Sequence, residues 1–489
     1  MADIVPVCTD LADVYGEEEL GAARKRYQIL ADAFQERYGA GPQIFARSPG
    51  RVNLIGEHID YEGFAVLPMA ITKDTVVAIR VTDQEELVIS NINGEKYPVN
   101  KFGADPNQAV NVAEHSWGNY FLAAYKGVHE YLNSKKDGVP IRGLQVLVDG
   151  CVPTGSGLSS SSAFVCAASL ALLGVYGKTA PKQDVAEFTC TCERHVGTES
   201  GGMDQAISIM AKRGVAKLVE FNPVRGTDVE LPPGATFVIA NSLTVSNKAE
   251  TADSRYNLRV VECQLASMTL AKKLGAENPL TLTTLDQIKS LLETQGSKKT
   301  PCAAVSQSLH EGFYSVQEVE EILGSNLDEL FSESASALRV LKKAKEGTGF
   351  KLLDRSLHVF QEATRVHEFR SVCESDVEAG AKLTKLGNLM NASHSSCRDL
   401  YECSCPELEG LIGVANEAGS LGSRLTGAGW GGCSVFLVKD RDVVPFIEHL
   451  KVNFFAKRVE SGLISNDSLD DCVFSSKPSS GGAILKLVF

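Results

Sequence analysis

From Glu17 to Tyr38, Leu20, Ala23, Tyr27, Leu30, Ala31 and Phe34 recur at helical spacing, which predicts a first helix. Strand-like segments follow: Ile44 to Ala46, Thr75 to Val81 and Glu86 to Ile92 are β-branched runs, and Leu144 to Val148 alternates before Asp149-Gly150. Ala163 to Tyr176 and Gln183 to Arg194 read as helices by length and composition. Strands and helices are mixed rather than strictly alternating, so an α+β fold is expected. Asn222-Pro223 and Pro232-Pro233-Gly234 punctuate the chain before an apolar strand, Thr236 to Ala240. A junction at 223–235 divides the chain into units of 1–228 and 229–489. Beyond it, Ser254 to Leu274 and Asp328 to Val366 carry helical patterns, with a polar loop around Gly296 to Pro301. Strands return at Ser434 to Val438 and Ala483 to Val488, linked through a helix near Val443 to Val459, and no internal repeat is found.

At 489 residues the chain is about two to four average domains long, and its 44% apolar and 22% charged residues suit a packed globular protein. Its 48 basic and 61 acidic residues leave a net charge of −13, which repels nucleic acid and anionic membranes. The N-terminus, MADIVPVCTD, has no basic region followed by an apolar one, so a cytoplasmic location is expected. The longest apolar run, Ala163 to Gly177, falls short of the ~20 residues of a membrane helix. Thirteen cysteines are scattered without any CxxC pair and are expected to be reduced. The sequons opening at Asn391 and Asn466 read as chance matches without a secretory route.

The most informative stretch is PTGSGLSSSSA, Pro153 to Ala163, between the strand ending at Val148 and an apolar helix. Strand, Gly/Ser loop and helix N-terminus make an anion site: glycines let N–H groups converge, serines add hydroxyls, and the helix dipole adds positive charge. Two better-known nucleotide motifs fail on context. Gly177-Lys178-Thr179 resembles the end of a P-loop, but Leu172 stands where that motif needs Gly, and Gly177 closes a helix instead of opening one. Gly427 to Gly432 matches GxGxxG, yet Cys433 to Val438 after it reads as a strand where a dinucleotide fold needs a helix.

Three further segments carry candidate chemistry. In Ser48 to Ile71, Arg51, Glu57, His58 and Asp60 crowd into ten residues, held by Val52, Leu54 and Ile55 and bent at Gly56 and Gly63. Carboxylates that accept paired hydroxyl hydrogen bonds suit a sugar. Metal binding is the rival reading, and it lacks a second His at ligand spacing. In Cys192 to Gln205, Glu193 ends a helical run and Asp204 follows Gly201-Gly202 in a loop, where a carboxylate can approach a ligand closely. In Ser423 to Gly432, four glycines join a helix-like stretch to a strand, a backbone able to line a phosphate or to pack closely on another unit.

Taken in this order, these motifs resemble the galactokinase family of the GHMP kinase superfamily over nearly the whole chain, most weakly from 275 to 345. Arg51 to Ile71 is similar to the galactokinase signature, Pro153 to Ala163 to the superfamily phosphate loop, and Ser423 to Gly432 to its C-terminal motif. Ile59 and the GTESGGMDQ stretch are most similar to plant galactokinases and animal N-acetylgalactosamine kinases. The resemblance implies a two-domain fold, with an N-terminal domain like ribosomal protein S5 domain 2 and a ferredoxin-like C-terminal domain. It implies ATP-dependent phosphorylation of the anomeric hydroxyl of a galactose-type sugar by a monomer, without nucleic-acid or membrane partners. By the same resemblance Asp204 is the catalytic base and Arg51 lies beside it and the transferring phosphoryl group. Glu57, His58, Asp60, Gly201 and Tyr256 look like sugar-binding positions. Gly155, Ser156, Gly157, Ser159, Ser160 and Ser161 look like nucleotide-binding positions, with Trp117 near the adenine. Ser161 and Glu193 resemble Mg²⁺ ligands, hard oxygen donors. The family usually has Ala after three serines; Ser162 here leaves the metal-binding serine open within 159–162. Two alternatives accompany this reading: an N-acetylgalactosamine kinase, and a non-catalytic galactose sensor, which would carry a shortened Ser/Ala run. Here Ser159 to Ala163 is complete and Arg51 and Asp204 are present.

Overall fold

The protein is described by a computed structural model covering residues 3–111, 116–197, 201–245, 252–347 and 349–489. The strands in chain order are β1 (Val7–Cys8), β2 (Ile44–Ile55), β3 (Leu67–Thr82), β4 (Glu86–Asn91), β5 (Asn100–Gly103), β6 (Gly143–Gly150), β7 (Val215–Glu220), β8 (Arg225–Glu230), β9 (Ala235–Asn241), β10 (Gly422–Leu425), β11 (Cys433–Lys439), β12 (Val473–Ser476) and β13 (Ala483–Leu485). Three sheets result among the described residues: seven strands ordered β1-β13-β2-β3-β6-β4-β5, four ordered β10-β11-β9-β12, and the hairpin β7-β8. With its many helices, this is the expected α+β architecture.

Residues of alternating orientation give the large sheet two buried faces. Ile44, Ala46, Val77, Ile79 and Val146 pack against helices α2 (Gly118–Ser134) and α3 (Ser160–Val175), while Phe45, Val76, Ala78 and Leu147 pack against α1 (Glu17–Tyr38). The last strand, β13, returns to this first sheet and pairs with both β1 and β2. The four-stranded sheet is likewise two-faced. Val238, Ala240, Phe436 and Val438 meet the helices Pro406–Glu417 and Val443–Leu450, and Phe237, Ile239, Val435 and Leu437 join the larger core containing helices Tyr256–Lys273, Leu352–Glu374 and Ala379–Asp399.

Several sequence expectations change. The strand expected at Ile44 to Ala46 runs on to Ile55 through Pro49-Gly50. The register shifts between Pro49 and Arg51, so a bulge accommodates the proline without ending the strand. The helix expected across 328–366 is three, Leu327–Leu330, Ala335–Glu346 and Leu352–Glu374. The segment before the C-terminal glycines is the strand β10, not a helix, so Thr426 to Gly432 is the tip of an antiparallel hairpin. Asp204 lies not in a loop but in the first turn of α5 (Met203–Met210). Thr198, Glu199 and Ser200 of the GTESGGMDQ stretch lie outside the described residues.

Candidate active site

Residues 153–159 leave β6 and enter α3 through three left-handed residues, Gly155 (φ 68°), Gly157 (φ 74°) and Ser159 (φ 59°). Alternation of this kind turns successive N–H groups to one side, the concave arrangement that binds anions, and the N-terminus of α3 completes it. The loop forms one wall of a 330 Å³ cavity. Tyr97, Trp117, Tyr120 and Phe164 form the aromatic wall. The Trp117 indole N–H donates to Pro98 O (2.8 Å), and its ring lies 5.7 Å from Tyr97 and 5.8 Å from Phe164. That fixes an apolar face on the cavity wall, while the ring remains partly exposed.

The hairpin tip between β10 and β11 is packed backbone-to-backbone on this loop. Cys433 N–H donates to Ser156 O (2.8 Å), and a Cβ at Gly427 would stand 2.6 Å from Gly157 O. A Cβ at Gly432 would stand 2.7 Å from Ser156 O. Of the two roles open to these glycines, close packing is what the fold uses, and residues 427–432 do not line the cavity. The same tip grips the end of β2: Arg424 donates to Asn53 O (2.6 Å), Thr426 Oγ1 accepts from Asn53 N–H (2.9 Å), and Glu57 accepts from Gly427 N–H (2.8 Å).

Arg51, on β2, stands between two groups. Its Nε donates to Asp204 Oδ1 (2.6 Å) and its Nη1 to the Gly157 carbonyl, and it lines the cavity. Asp204 comes from the first turn of α5, where the helix dipole favours a negative charge. Asp60 lies nearby: burial and the Asp204 carboxylate push its pKa up, against the pull of His58 and the N–H groups of Tyr61 and Met203. A methyl group at Gly201 would collide with the Asp60 carboxylate, so only glycine permits this approach. Glu57 is buried, and burial raises its pKa against the nearby Arg424 and Arg51.

His58 has φ 60° and both ring nitrogens engaged: Nε2 donates to Ala428 O (2.9 Å), and Nδ1 meets the Tyr61 hydroxyl (3.0 Å). It therefore offers a ligand its ring face and backbone rather than a free ring nitrogen. Burial works to lower its pKa, but Cys403, Glu57 and the Ala428 carbonyl hold it above the usual value. Tyr256 stands 5.6 Å from His58 and 5.5 Å from Tyr61, ring to ring, so one cluster holds Glu57, His58, Asp60 and Tyr256 beside Asp204.

Ser160 and Ser161 line the cavity at the start of α3, whereas Ser162 is 1% exposed and receives a hydrogen bond from Gln205 Nε2 (3.4 Å). Glu193, buried near the end of α4 (Lys182–Arg194), does not line the cavity itself. Its charge reaches Tyr120 on the cavity wall, whose pKa burial and then Glu193 push up to about 12. All thirteen cysteines are free, and among the described residues no helix is long and apolar enough to cross a membrane.

Sequence reasoning did not single out His358 and Glu362. His358 donates to Glu57 O (3.1 Å), and Glu362 accepts from Gly56 N–H (2.8 Å). Their signal was a pair of ionisable residues four apart within the buried face of a long helix, a face that also carries Leu352, Val359, Val366 and Phe369.

Residues 32–81 match the galactokinase galactose-binding signature, 119–212 the GHMP kinase N-terminal domain and 378–449 the GHMP kinase C-terminal region. The chain is 37% identical to a galactokinase of Dictyostelium discoideum, covering 98% of this chain and 97% of that protein. It is 35% identical to a galactokinase of Saccharomyces cerevisiae, covering 93% of each. Its fold is similar to that of Lactococcus lactis galactokinase complexed with galactose, with a TM-score of 0.69 at 24% identity over 94% of this chain and 99% of that one.

Proposed function

The chain belongs to the galactokinase family of the GHMP kinases, and from that premise we propose that it transfers the γ-phosphoryl group of ATP to the C1 hydroxyl of α-D-galactose. The products are α-D-galactose 1-phosphate and ADP. The observation that carries this reading is the position of Arg51, whose guanidinium spans the Asp204 carboxylate and the Gly157 carbonyl of the phosphate loop. Phosphoryl transfer needs positioning and charge neutralisation more than covalent chemistry. A cation between a carboxylate that accepts the attacking hydroxyl's hydrogen and a loop that cradles phosphates supplies both.

In this reading Asp204 and Arg51 are the catalytic residues, and Glu57, His58, Asp60, Gly201 and Tyr256 surround the sugar. Gly155 to Gly157 and Ser159 to Ser161 hold the phosphates, and Trp117 packs against the adenine. Mg²⁺ suits the hard oxygen donors available, the Ser161 hydroxyl on the cavity wall and the buried Glu193 carboxylate whose charge reaches Tyr120, and Ser162's inward turn favours Ser161 in the register. A bound ion of this kind keeps several waters and neutralises phosphate charge. A division at 228/229 would cut β8, so the proposed boundary is drawn between β8 and β9, with the phosphate loop in the first unit, the glycine hairpin in the second, and β13 returning to the first sheet. Because one chain supplies every candidate group, the proposed unit is a monomer, and free thiols suit a cytoplasmic setting.

A coupled ADP-release assay with Mg·ATP against D-galactose, N-acetylgalactosamine, L-arabinose and D-galacturonate tests the proposal. Turnover with galactose is expected. Heat-shift stabilisation by galactose and ATP without ADP release from any sugar would make the protein a sensor and refute it.

A further inference from the structure

The hairpin tip holds the Glu57 and His58 side chains, and a helix face holds the backbone of the Gly56–His58 turn. Along Leu352–Glu374, His358, Glu362 and Val366 follow one another at four-residue steps, all fully buried. Val366 Cγ2 would stand 3.0 Å from a Cβ at Gly56, so the helix lies directly against the turn. Glu362 Oε1 accepts both the Gly56 N–H (2.8 Å) and the Ser393 hydroxyl (2.6 Å). His358 Nε2 lies 3.1 Å from Glu57 O. A carbonyl can only accept, so Nε2 carries the proton, and burial keeps this imidazole neutral by lowering its pKa to about 4. Nδ1 is then the acceptor for the Ser396 hydroxyl, at 2.9 Å. Burial opposes the charge on Glu362, but Arg365 and Arg424 hold its pKa at about 2. The clamp therefore keeps one protonation state across the pH range of an enzyme assay.

The turn requires such a clamp. Its backbone passes through φ 107° at Gly56 and φ 60° at His58. The second is a conformation that a residue with a Cβ adopts only where its surroundings over-determine it.

We propose that His358 and Glu362 are positioning residues for sugar recognition, fixing the Gly56–Glu57 peptide so that Glu57, His58 and Asp60 meet the sugar in one register. They act through that loop and touch no substrate. The inference rests on the reading of the loop as the sugar site.

The test is steady-state kinetics of the full chain with both substrates varied, on Ser396→Ala, Glu362→Gln, His358→Phe and His358→Gln. Ser396→Ala removes only the hydroxyl that pins the His358 tautomer, so it serves even if His358→Phe does not fold. Galactose KM is expected to rise about five- to tenfold in Ser396→Ala and Glu362→Gln, and at least about tenfold in His358→Phe, the scale of one buried hydrogen bond. ATP KM and kcat stay within about twofold, and His358→Gln, which keeps an N–H, recovers part of the loss. The proposal is overturned if Ser396→Ala and Glu362→Gln leave galactose KM within about twofold of wild type, or if galactose and ATP KM rise in step, which is general loosening. Wild-type turnover on galactose tests the underlying reading separately, and its absence overturns both.

Discussion

Gly427→Ala isolates the contact between the β10–β11 hairpin tip, which holds Glu57, and the Gly155–Ser159 loop. The Gly427 N–H donates to Glu57, and a Cβ at this position would stand 2.6 Å from Gly157 O and 3.0 Å from Gly157 Cα. Ordinary contact begins near 3.4 Å, so the hairpin tip and phosphate loop must part by most of an ångström. Both atoms belong to backbone, which cannot rotate away. Gly427 also has φ 84°, where an L-residue costs roughly 1–2 kcal/mol. The Gly157 carbonyl that must move accepts from Arg51, so the displacement reaches the Arg51–Asp204 pair. A misplacement of about 1 Å costs on the order of 10²-fold in rate. Gly177→Ala is the control: its φ is 68°, and nothing lies within 4 Å of its added Cβ. Equilibrium unfolding and steady-state kinetics on both variants should find a larger loss of stability in Gly427→Ala, which adds the clash to the strain the two share, and a ~10²-fold fall in kcat/KM for ATP only in Gly427→Ala. Were Gly427→Ala to keep kcat/KM within about threefold of the Gly177→Ala value, the hairpin contact would not set the loop, and this reasoning would be wrong.

Two other predictions concern carboxyl groups. Asp60→Ala should weaken galactose binding by ~1–3 kcal/mol, because sugar hydroxyls lose a buried acceptor, and calorimetry giving an unaltered Kd would sink that role. Since burial and Asp204 raise the Asp60 pKa, wild-type galactose affinity should decline on acidification sooner than an ordinary carboxylate's titration would predict, and a decline only at the usual carboxylate pH would refute the shift. Glu62, buried at the N-terminus of helix Leu285–Thr294, has its pKa raised to about 8 by burial, despite accepting from Leu285 N–H (2.8 Å). A carboxyl that binds its proton more tightly folded than unfolded contributes stability that is fully present below the unfolded value and lost as pH rises toward 8, at up to ~1.4 kcal/mol per pH unit. Glu62→Gln lacks this slope, so it should gain about 2 kcal/mol on the wild type between about pH 5.5 and about pH 7.5 in denaturant unfolding. Parallel pH profiles for the two proteins would contradict it.

The legible parts of this chain were those whose cause is local. The helix expected from Glu17 to Tyr38 forms over those residues because its apolar stripe is regular. The Pro153–Ala163 loop reads as an anion site because strand, glycines and helix start are consecutive. Features set by distant partners were not legible. β2 runs through Pro49-Gly50 because β3 pairs along its length and Gly50 lies against the phosphate loop, where a Cβ would stand 2.8 Å from Leu158 O. Asp204 reads as a loop acid because Gly201-Gly202 suggests flexibility, yet Gly202 serves as the N-cap of a buried helix. The two possible roles of the Gly427–Gly432 run were separated only by the carbonyls of Ser156 and Gly157, some 270 residues away. His358 and Glu362 look like ordinary helix residues until the Gly56–Glu57 peptide is seen against them.

On the proposed function, the Asp204–Arg51 pair, where the sugar cluster meets the phosphate loop, is the chemical centre. Turnover of galactose with Mg·ATP by wild type and Asp204→Ala, with galactose affinity measured by calorimetry on both, tests it most directly. The expected result is a fall in kcat on the order of 10²–10⁴-fold with galactose Kd within about threefold of wild type. An undiminished kcat in Asp204→Ala would contradict it.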